Sequence, residues 1–236
     1  MPRGLFVTGT DTGVGKTIVS AALMHRHRRS GPIGYWKPIQ TGIEEDDDTA
    51  VVRELGACSE AEIFTESIRL PRPLSPHLAA RLAGETIAIK DLEAMASRLS
   101  KDRAWMVEGA GGGLVPLNDS ELMTDWMARL GLPVVVAARS GLGTINHTLL
   151  TLEALRARSL RVTGVVMVGE RNEENRRAIE RYGNTVVLGE MPVFCELTAS
   201  EVGSWAAASL DLDGALLRNS APWVSDMISG SVRGLK

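Results

Sequence analysis

The hydrophobic and polar positions along this chain alternate between short apolar runs and longer helical stretches. The short runs are rich in β-branched residues, which is typical of strands buried on both faces of a sheet. The pattern predicts strands over 5–8, 33–36, 104–107, 133–137, 162–168 and 185–188. It predicts helices over 16–28, 48–55, 75–82, 91–99, 121–130, 144–158 and 173–181.

Strands that alternate with helices indicate an α/β fold, with a mostly parallel central β-sheet flanked by helices on both faces. The sequence has no internal repeat, low-complexity tract or clear linker, so we expect one domain over 1–236. Beyond residue 196 the pattern defines no element. For Trp205 and Trp223 in that tail we expect core packing, and for the pair Asp211 and Asp213 a solvated turn.

Composition and charge argue against several classes of function. The 236 residues are 44% hydrophobic, which supports a sizeable core, and a net charge of −3 argues against nucleic acid as a main partner. No apolar run in the sequence approaches the roughly 20 residues that span a bilayer. The N-terminus lacks the apolar stretch and cleavage site of a signal peptide. We therefore expect a cytoplasmic protein with neither nucleic acid nor membrane as a partner.

Lysine is scarce in this chain, with five Lys against 21 Arg. A planar guanidinium does not replace a compact ammonium at a site that holds an anion by a point charge. The lysines that lie within motifs, Lys16 and Lys37, are therefore candidates for chemistry.

The strongest motif is GTDTGVGKT over 9–17, which follows a predicted strand and opens a predicted helix, the context that a P-loop requires. We therefore expect the single domain over 1–236 to have a P-loop fold. In that context glycines turn backbone N–H groups towards phosphates, and the helix N-terminus adds a positive dipole. We expect Lys16 to reach the β- and γ-phosphates and Thr17 to place its hydroxyl on Mg²⁺. Five residues separate Gly9 from Gly15, one more than in the standard spacing.

Carboxylates that suit a magnesium ion lie near this loop in the predicted order of elements. Glu108 ends a predicted strand, and ligands of α/β sheets collect at the carboxyl ends of strands. Asp46, Asp47 and Asp48 begin a predicted helix, so one of them can complete the metal's oxygen shell while the run as a whole is otherwise a solvated helix start. Lys37, after the second strand, is a candidate for a second anion-binding cation, with a solvated surface lysine as the alternative.

Taken in order, the segments GTDTGVGKT, KPIQTG, EGAGG and GLGTINH resemble the dethiobiotin synthetase family. The GVV and GEMP segments extend the resemblance to about residue 196. It implies a single α/β domain with a mostly parallel seven-stranded sheet, working as a cytoplasmic homodimer in biotin biosynthesis. It also implies a reaction of ATP, CO2 and 7,8-diaminononanoate, in which a carbamate forms, is phosphorylated and closes to a cyclic urea.

The resemblance also implies roles for individual residues. The catalytic positions are Lys37, Lys16 and Thr12. The substrate contacts are Thr12, Lys37 and Thr41, with Gly143 and Asn146 at a helix start that receives the substrate carboxylate from the other subunit. The magnesium ligands are Thr17, Asp48 and Glu108, where Asp48 is chosen because small residues follow it. The nucleotide contacts are Thr12, Gly13, Val14, Gly15, Lys16, Thr17, Glu108, Gly111, Gly189 and Pro192.

The sequence departs from the family pattern at one position. After a Thr-Gly pair that corresponds to Thr163 and Gly164 here, the family commonly has an asparagine near the end of the strand. In the family this asparagine contacts the adenine. In this chain Val168 stands at the matching position. The departure predicts weaker selection of the base, or selection by the GEMP segment over 189–192.

Three other hypotheses remain beside the main one. An amidating relative needs a glutaminase domain, and this chain is too short to carry both domains. A partitioning or metal-delivery ATPase that binds a partner or a surface usually has a second lysine five residues before the loop lysine, and here that position is Asp11. An inactive binding module has no need of Lys16, Thr17, Lys37 and Glu108 together.

Overall fold

The computed structural model describes residues 2–212 and residue 216, and the predicted sites at Asp213 and Trp223 lie outside this part. The strands are β1 (Arg3–Gly9), β2 (Ile33–Trp36), β3 (Ile39–Thr41), β4 (Ile63–Phe64), β5 (Ile68–Leu70), β6 (Ala104–Gly112), β7 (Val134–Arg139), β8 (Val162–Val168) and β9 (Val187–Met191). The helices are α1 (Lys16–Arg28), α2 (Asp48–Leu55), α3 (Pro76–Ala83), α4 (Ile89–Ala96), α5 (Met123–Leu130), α6 (Thr144–Arg156), α7 (Glu173–Gly183) and α8 (Ala199–Ser209).

The core of the fold is a seven-stranded sheet in the order β4-β2-β6-β1-β7-β8-β9. The pairings within it are parallel, and β3 and β5 form a separate parallel pair. After β1 the chain moves to one side of the sheet, and after β6 it crosses to the other side. The carboxyl ends of β1, β6 and β7 therefore surround a topological switch point, where ligands of such sheets bind. The fold class is confirmed as a single α/β domain, and its extension over 1–236 stays a prediction.

Two hydrophobic layers cover the faces of this sheet. Leu5 and Val7 of β1 pack with α1 in one layer, while Phe6 between them joins the layer on the opposite face. The same alternation puts Met106 on the α1 face and Val107 on the opposite face. Helices cover both faces because strands of this kind are apolar on both sides.

Several predicted boundaries are wrong. The strand predicted over 104–107 continues to Gly112, because after a register shift Gly112 pairs with Gly9 of β1. The helix predicted from 121 begins at Met123, and the helix predicted from 91 begins at Ile89, whose N–H donates to the Glu121 carboxylate at 3.2 Å. β3, β4 and β5 were not predicted, because two or three residues are too few to show a period.

The described part of the tail contains α8 and a buried aspartate. Trp205 of α8 lies in the core, as expected. The expected solvated turn at Asp211 is wrong: this carboxylate is buried, lies 3.4 Å from the His27 ring and accepts a hydrogen bond from the Leu216 N–H. The tail is thereby fastened to α1. Within residues 2–212 and 216, none of the helices has the length and apolar character needed to cross a bilayer.

Aromatic packing at the end of β2 supports the chain that leads to Lys37. The Trp36 ring is fully buried and meets Phe64 and Trp126 edge-on, with centroids 5.8 and 6.1 Å apart. We expect Trp36→Ala to lower the free energy of unfolding by about 3–5 kcal/mol, since it leaves a large cavity. Urea unfolding followed by circular dichroism measures this loss. Leu82→Ala, at a half-exposed position of α3, is the control, and an equal loss in both variants would contradict the packing argument.

Candidate active site

The glycine-rich loop between β1 and α1 has the backbone shape of a phosphate cradle. Gly13 and Gly15 adopt left-handed conformations with φ of 69° and 91°, which favour glycine. A Cβ on Gly9 would lie 2.7 Å from the Val14 side chain, so the loop also needs glycine there. Gly15 is the N-cap of α1 and supplies no capping side chain, which leaves the first N–H groups of the helix for an anion.

The lysine of the loop lies over this cradle. Lys16 is buried, and its ammonium donates to the Asp11 carbonyl at 3.0 Å. Burial lowers the pKa of Lys16, and the nearby Lys37 ammonium lowers it further. An anion in the cradle would oppose both effects, because a nearby negative charge raises the pKa of an ammonium.

Three oxygen-bearing side chains converge beside the cradle from different elements. The Thr17 hydroxyl, in the first turn of α1, donates to Asp48 Oδ1 at 2.7 Å and lies 3.1 Å from Glu108 Oε1. Asp48 begins α2, and Glu108 lies in β6 on the α1 face of the sheet. One hydroxyl hydrogen cannot serve both carboxylates fully, so the three oxygens form a negative cluster in need of a cation.

Lys37 supplies that cation in this structure. Its Nζ lies 2.6 Å from Asp48 Oδ2 and 2.7 Å from Glu108 Oε1, and it also donates to the Gly109 carbonyl at 3.1 Å. Burial by itself would lower the pKa of Lys37, but the Glu108 and Asp48 carboxylates outweigh it and raise this pKa. Burial likewise opposes ionisation of Asp48, yet the Lys37 ammonium holds the pKa of Asp48 below its usual value. The alternative of a solvated surface lysine is excluded, because the Lys37 side chain is almost fully buried.

The oxygen cluster fits a magnesium ion. Neighbouring ligands of an octahedral Mg²⁺, at about 2.1 Å from the metal, lie about 3 Å apart. The Thr17 hydroxyl is 2.7 and 3.1 Å from its two carboxylate neighbours, which matches this spacing. The Lys37 ammonium stands in for a cation on the same carboxylates and covers Glu108, which is fully buried. A metal at Glu108 would therefore have to share or take the place of this ammonium.

The other two aspartates of the acidic run have different surroundings. Asp47 is the N-cap of α2: it accepts hydrogen bonds from the N–H groups of Thr49 and Ala50 and pairs with Arg69 at 2.9 Å. These contacts lower the pKa of Asp47 although its burial acts in the opposite direction. Asp46 is exposed at the edge of the cavity. The geometry thus favours Asp48 as the carboxylate that faces Thr17.

Sequence reasoning missed two hydroxyls behind Glu108. Ser20 Oγ donates to Glu108 Oε2 at 2.8 Å, and Tyr35 Oη donates to the same oxygen at 3.1 Å. Burial raises the pKa of Tyr35 well above its ordinary value, and the Glu108 and Asp48 charges add to this, so the phenol keeps its proton. The sequence signal that could have indicated the Tyr35 contact is the alternation of side chains along the strands, which places Tyr35 and Glu108 on the face of the sheet that α1 covers.

A cavity of about 750 Å³ joins the phosphate cradle to the acidic cluster. Its lining includes the predicted residues Thr12, Gly13, Gly15, Lys16, Thr17, Lys37, Thr41, Asp48 and Gly111. The sequence analysis did not predict the wall formed by Gln40, Val115, Leu197 and residues 73–76. The predicted residue Val14 is buried behind the loop and packs in the core.

Some predicted contacts lie elsewhere in the chain. Gly189 lines a separate cavity, where an added Cβ would lie 2.9 Å from the Ser209 carbonyl, and Pro192 is exposed after β9. Gly143 and Asn146 are exposed at the start of α6, outside the main cavity. Val168 does approach the loop: a Cβ on Gly15 would lie 3.0 Å from its side chain.

Comparisons with known proteins identify relatives of this chain. A family model described as "AAA domain" matches residues 3–201. The ATP-dependent dethiobiotin synthetase BioD of Paramagnetospirillum magneticum is 50% identical over 200 residues, which cover 85% of this chain and 93% of that protein. The protein of the same name from Brucella ovis is 43% identical over 213 residues, or 90% of this chain and 97% of that one.

A bifunctional relative and two solved structures complete the comparison. The biotin biosynthesis bifunctional protein BioCD of Bordetella avium is 47% identical over 93% of this chain, which spans about half of that protein, 46% of its length. The MinC:MinD cell division complex of Aquifex aeolicus has a TM-score of 0.58 at 11% identity, covering 94% of this chain and 98% of that one. A ParA family ATPase of Chlorobium tepidum has a TM-score of 0.53 at 10% identity, covering 87% and 98%. At such low identity these two share the fold alone.

Removal of the Lys37 ammonium should make the stability of the protein depend on magnesium. Lys37→Met leaves the buried Glu108 and the partly buried Asp48 without their cation, and removal of one partner of a buried ion pair typically costs about 3–5 kcal/mol. Millimolar Mg²⁺ should restore much of the loss, because a cation that binds the native state stabilises it. Thermal unfolding with and without Mg²⁺ measures this, with the exposed Lys90→Met as control. A loss in Lys37→Met that Mg²⁺ leaves unchanged would contradict the assignment of these carboxylates to a cation site.

Proposed function

Because this chain belongs to the family of ATP-dependent dethiobiotin synthetases, we propose that its cavity closes a cyclic urea on 7,8-diaminononanoate. The enzyme is an ATP-dependent ligase of biotin biosynthesis. The observation that carries the proposed mechanism is the Lys37 ammonium between Asp48 and Glu108, in one cavity with the phosphate cradle. This arrangement joins a phosphate site to a second anion site, as phosphorylation of a carbamate requires.

The proposed reaction has three bond-forming steps. One amine of the substrate attacks CO2 and loses a proton, which gives a carbamate. A carbamate oxygen then attacks the γ-phosphorus of ATP and ADP leaves. The second amine attacks the carbonyl carbon of this mixed anhydride, expels phosphate and closes the ring. The substrate supplies both nucleophiles, so the protein contributes position and charge.

The residues of this chain suit those tasks. Lys16, Thr12, Lys37 and Thr41 line one cavity. We propose that Lys16 neutralises charge on the transferring phosphoryl group, that Thr12 and Lys37 hold the carbamate end, and that the Thr41 hydroxyl contacts the substrate. Cys58 is no rival as nucleophile, because burial raises the pKa of its thiol to about 11.

Lys37 can favour a neutral substrate amine only if its positive charge is not cancelled by its own ion pairs. Lys37 alone would repel a bound ammonium and so favour the neutral amine that attacks CO2. With Asp48 and Glu108 beside it, however, the formal charge of the three groups is −1. We propose that Thr17, Asp48 and Glu108 hold Mg²⁺, which supplies positive charge to the nucleotide phosphates when bound. The positive charge of Lys37 is then no longer cancelled by the two carboxylates.

We further propose a cytoplasmic homodimer. Gly143 and Asn146 are exposed at the start of α6, outside the main cavity, and Leu142 and Leu150 near them are exposed apolar side chains. A free helix N-terminus suits a carboxylate. In the proposed dimer this segment binds the carboxylate of a substrate held in the cavity of the partner subunit.

A coupled reaction tests the function. The purified protein is incubated with ATP, Mg²⁺, bicarbonate and 7,8-diaminononanoate, and dethiobiotin is measured by mass spectrometry. We expect product from the wild type and a loss of at least about 100-fold in Lys16→Ala and Lys37→Ala, since each removes a charge that stabilises the transition state. Lys90→Ala is the matched control. If the wild type binds ATP but forms no product, the partner- or surface-binding ATPase becomes the better hypothesis, although Asp11 opposes it.

The base of the nucleotide should be weakly selected. Val168 has no hydrogen-bonding group, and at the end of β8 it lies against the phosphate loop. We expect GTP and CTP to support the reaction with kcat/KM values within about 100-fold of that of ATP, because one good bidentate base contact is worth about 1–3 kcal/mol. Val168→Asn should increase the preference for ATP. A wild-type preference beyond this range would show that another segment, such as 189–192, reads the base.

A further inference from the structure

The two oxygens of the Glu108 carboxylate have different partners. Oε1 lies 2.7 Å from the Lys37 ammonium and 3.1 Å from the Thr17 hydroxyl, on the side of the phosphate cradle. Oε2 accepts hydrogen bonds from Ser20 at 2.8 Å and from Tyr35 at 3.1 Å, on the side of the core. The two hydroxyls therefore hold Oε2 on the side of the core, and Oε1 faces the phosphate cradle.

The fold explains how these hydroxyls reach Oε2. Tyr35 of β2 is paired with Met106 of β6, two residues before Glu108 on the same face of the sheet. A tyrosine is long enough to reach a diagonal neighbour of this kind. Ser20 lies one turn after the phosphate loop in α1, which packs on that face. Sheet register and helix position thus bring both hydroxyls to one oxygen.

We propose that Tyr35 and Ser20 are positioning residues of the magnesium site: they occupy Oε2 and leave Oε1 as the single oxygen that Glu108 offers to the metal. The inference rests on the proposed function. Mg²⁺ requires near-ideal octahedral geometry, which a freely turning carboxylate satisfies poorly. Hydrogen bonds from neighbouring groups that orient a metal ligand commonly change metal affinity by about 10–100-fold.

Neither hydroxyl touches the substrate. Tyr35 and Ser20 are fully buried and are absent from the lining of the cavity. Loss of either hydroxyl should therefore act through Glu108 alone. It should weaken metal binding while the affinity for the diamine and the rate at saturating metal change little.

Binding of Mn²⁺ in place of Mg²⁺ tests this directly. Electron paramagnetic resonance measures free Mn²⁺ in the presence of protein and a non-hydrolysable ATP analogue. We expect Tyr35→Phe and Ser20→Ala each to weaken Mn²⁺ about tenfold, the low end of the range for such partners. In steady-state assays each variant should need about ten times more Mg²⁺ for half-maximal rate, and kcat should return to within about twofold of the wild type at saturation.

Tyr182→Phe is the matched control, because it removes the hydroxyl of the chain's other tyrosine, which is exposed on α7. Equal Mn²⁺ affinity in the wild type and both variants would overturn the proposal. So would a fall in kcat that excess Mg²⁺ does not restore, since that marks a structural defect. If Tyr35→Phe does not fold, Ser20→Ala decides alone. Mn²⁺ binding needs no diamine, so failure of the proposed reaction and failure of this proposal remain distinguishable.

Discussion

The buried ion pairs of Lys37 with Asp48 and Glu108 are the constraint on which the rest of the site depends. Each of these charges would be expensive to bury alone, and together they are tolerated because the geometry is close and the remaining lone pairs have donors. The partners come from β6, from the first residue of α2 and from the residue after β2. Any arrangement that keeps the three charges paired therefore also places these segments next to the phosphate loop.

This cluster explains two departures of the sequence from ordinary patterns, a lysine in an arginine-rich chain and a glutamate inside a buried strand. A chain that uses Arg far more often than Lys keeps a lysine where a compact cation fits between two carboxylates. Glu108 lies at a fully buried strand position, where an apolar residue would be expected. Such violations of local rules are common at functional sites, because the charged groups are stable only when all are present.

The sequence predicted the fold class and the main elements, because long periodic segments and a loop of fixed spacing are local signals. α1, α2, β2 and β8 have the predicted bounds. The approach of Lys37, Asp48 and Glu108 to Thr17 was expected in outline. The sequence did not predict that Lys37 occupies the carboxylates itself, nor the contacts of Ser20 and Tyr35, since these depend on register and side-chain conformation. Asp211 was misjudged because its partner His27 is remote in sequence.

The charges of the cavity bear on the proposed homodimer. Among the described residues that line it, the cations are Lys16 and Lys37, and both lie at the phosphate end. Glu45 and Asp46 are exposed on the lining and would repel the carboxylate at the far end of the proposed substrate. The described lining therefore offers this carboxylate neutral donors such as Gln40 and Thr41, but no cation beyond the two lysines of the phosphate end. In the proposed homodimer, the start of α6 of the partner subunit would add a positive helix end to this part of the site, since Gly143 and Asn146 of the same chain lie outside the cavity.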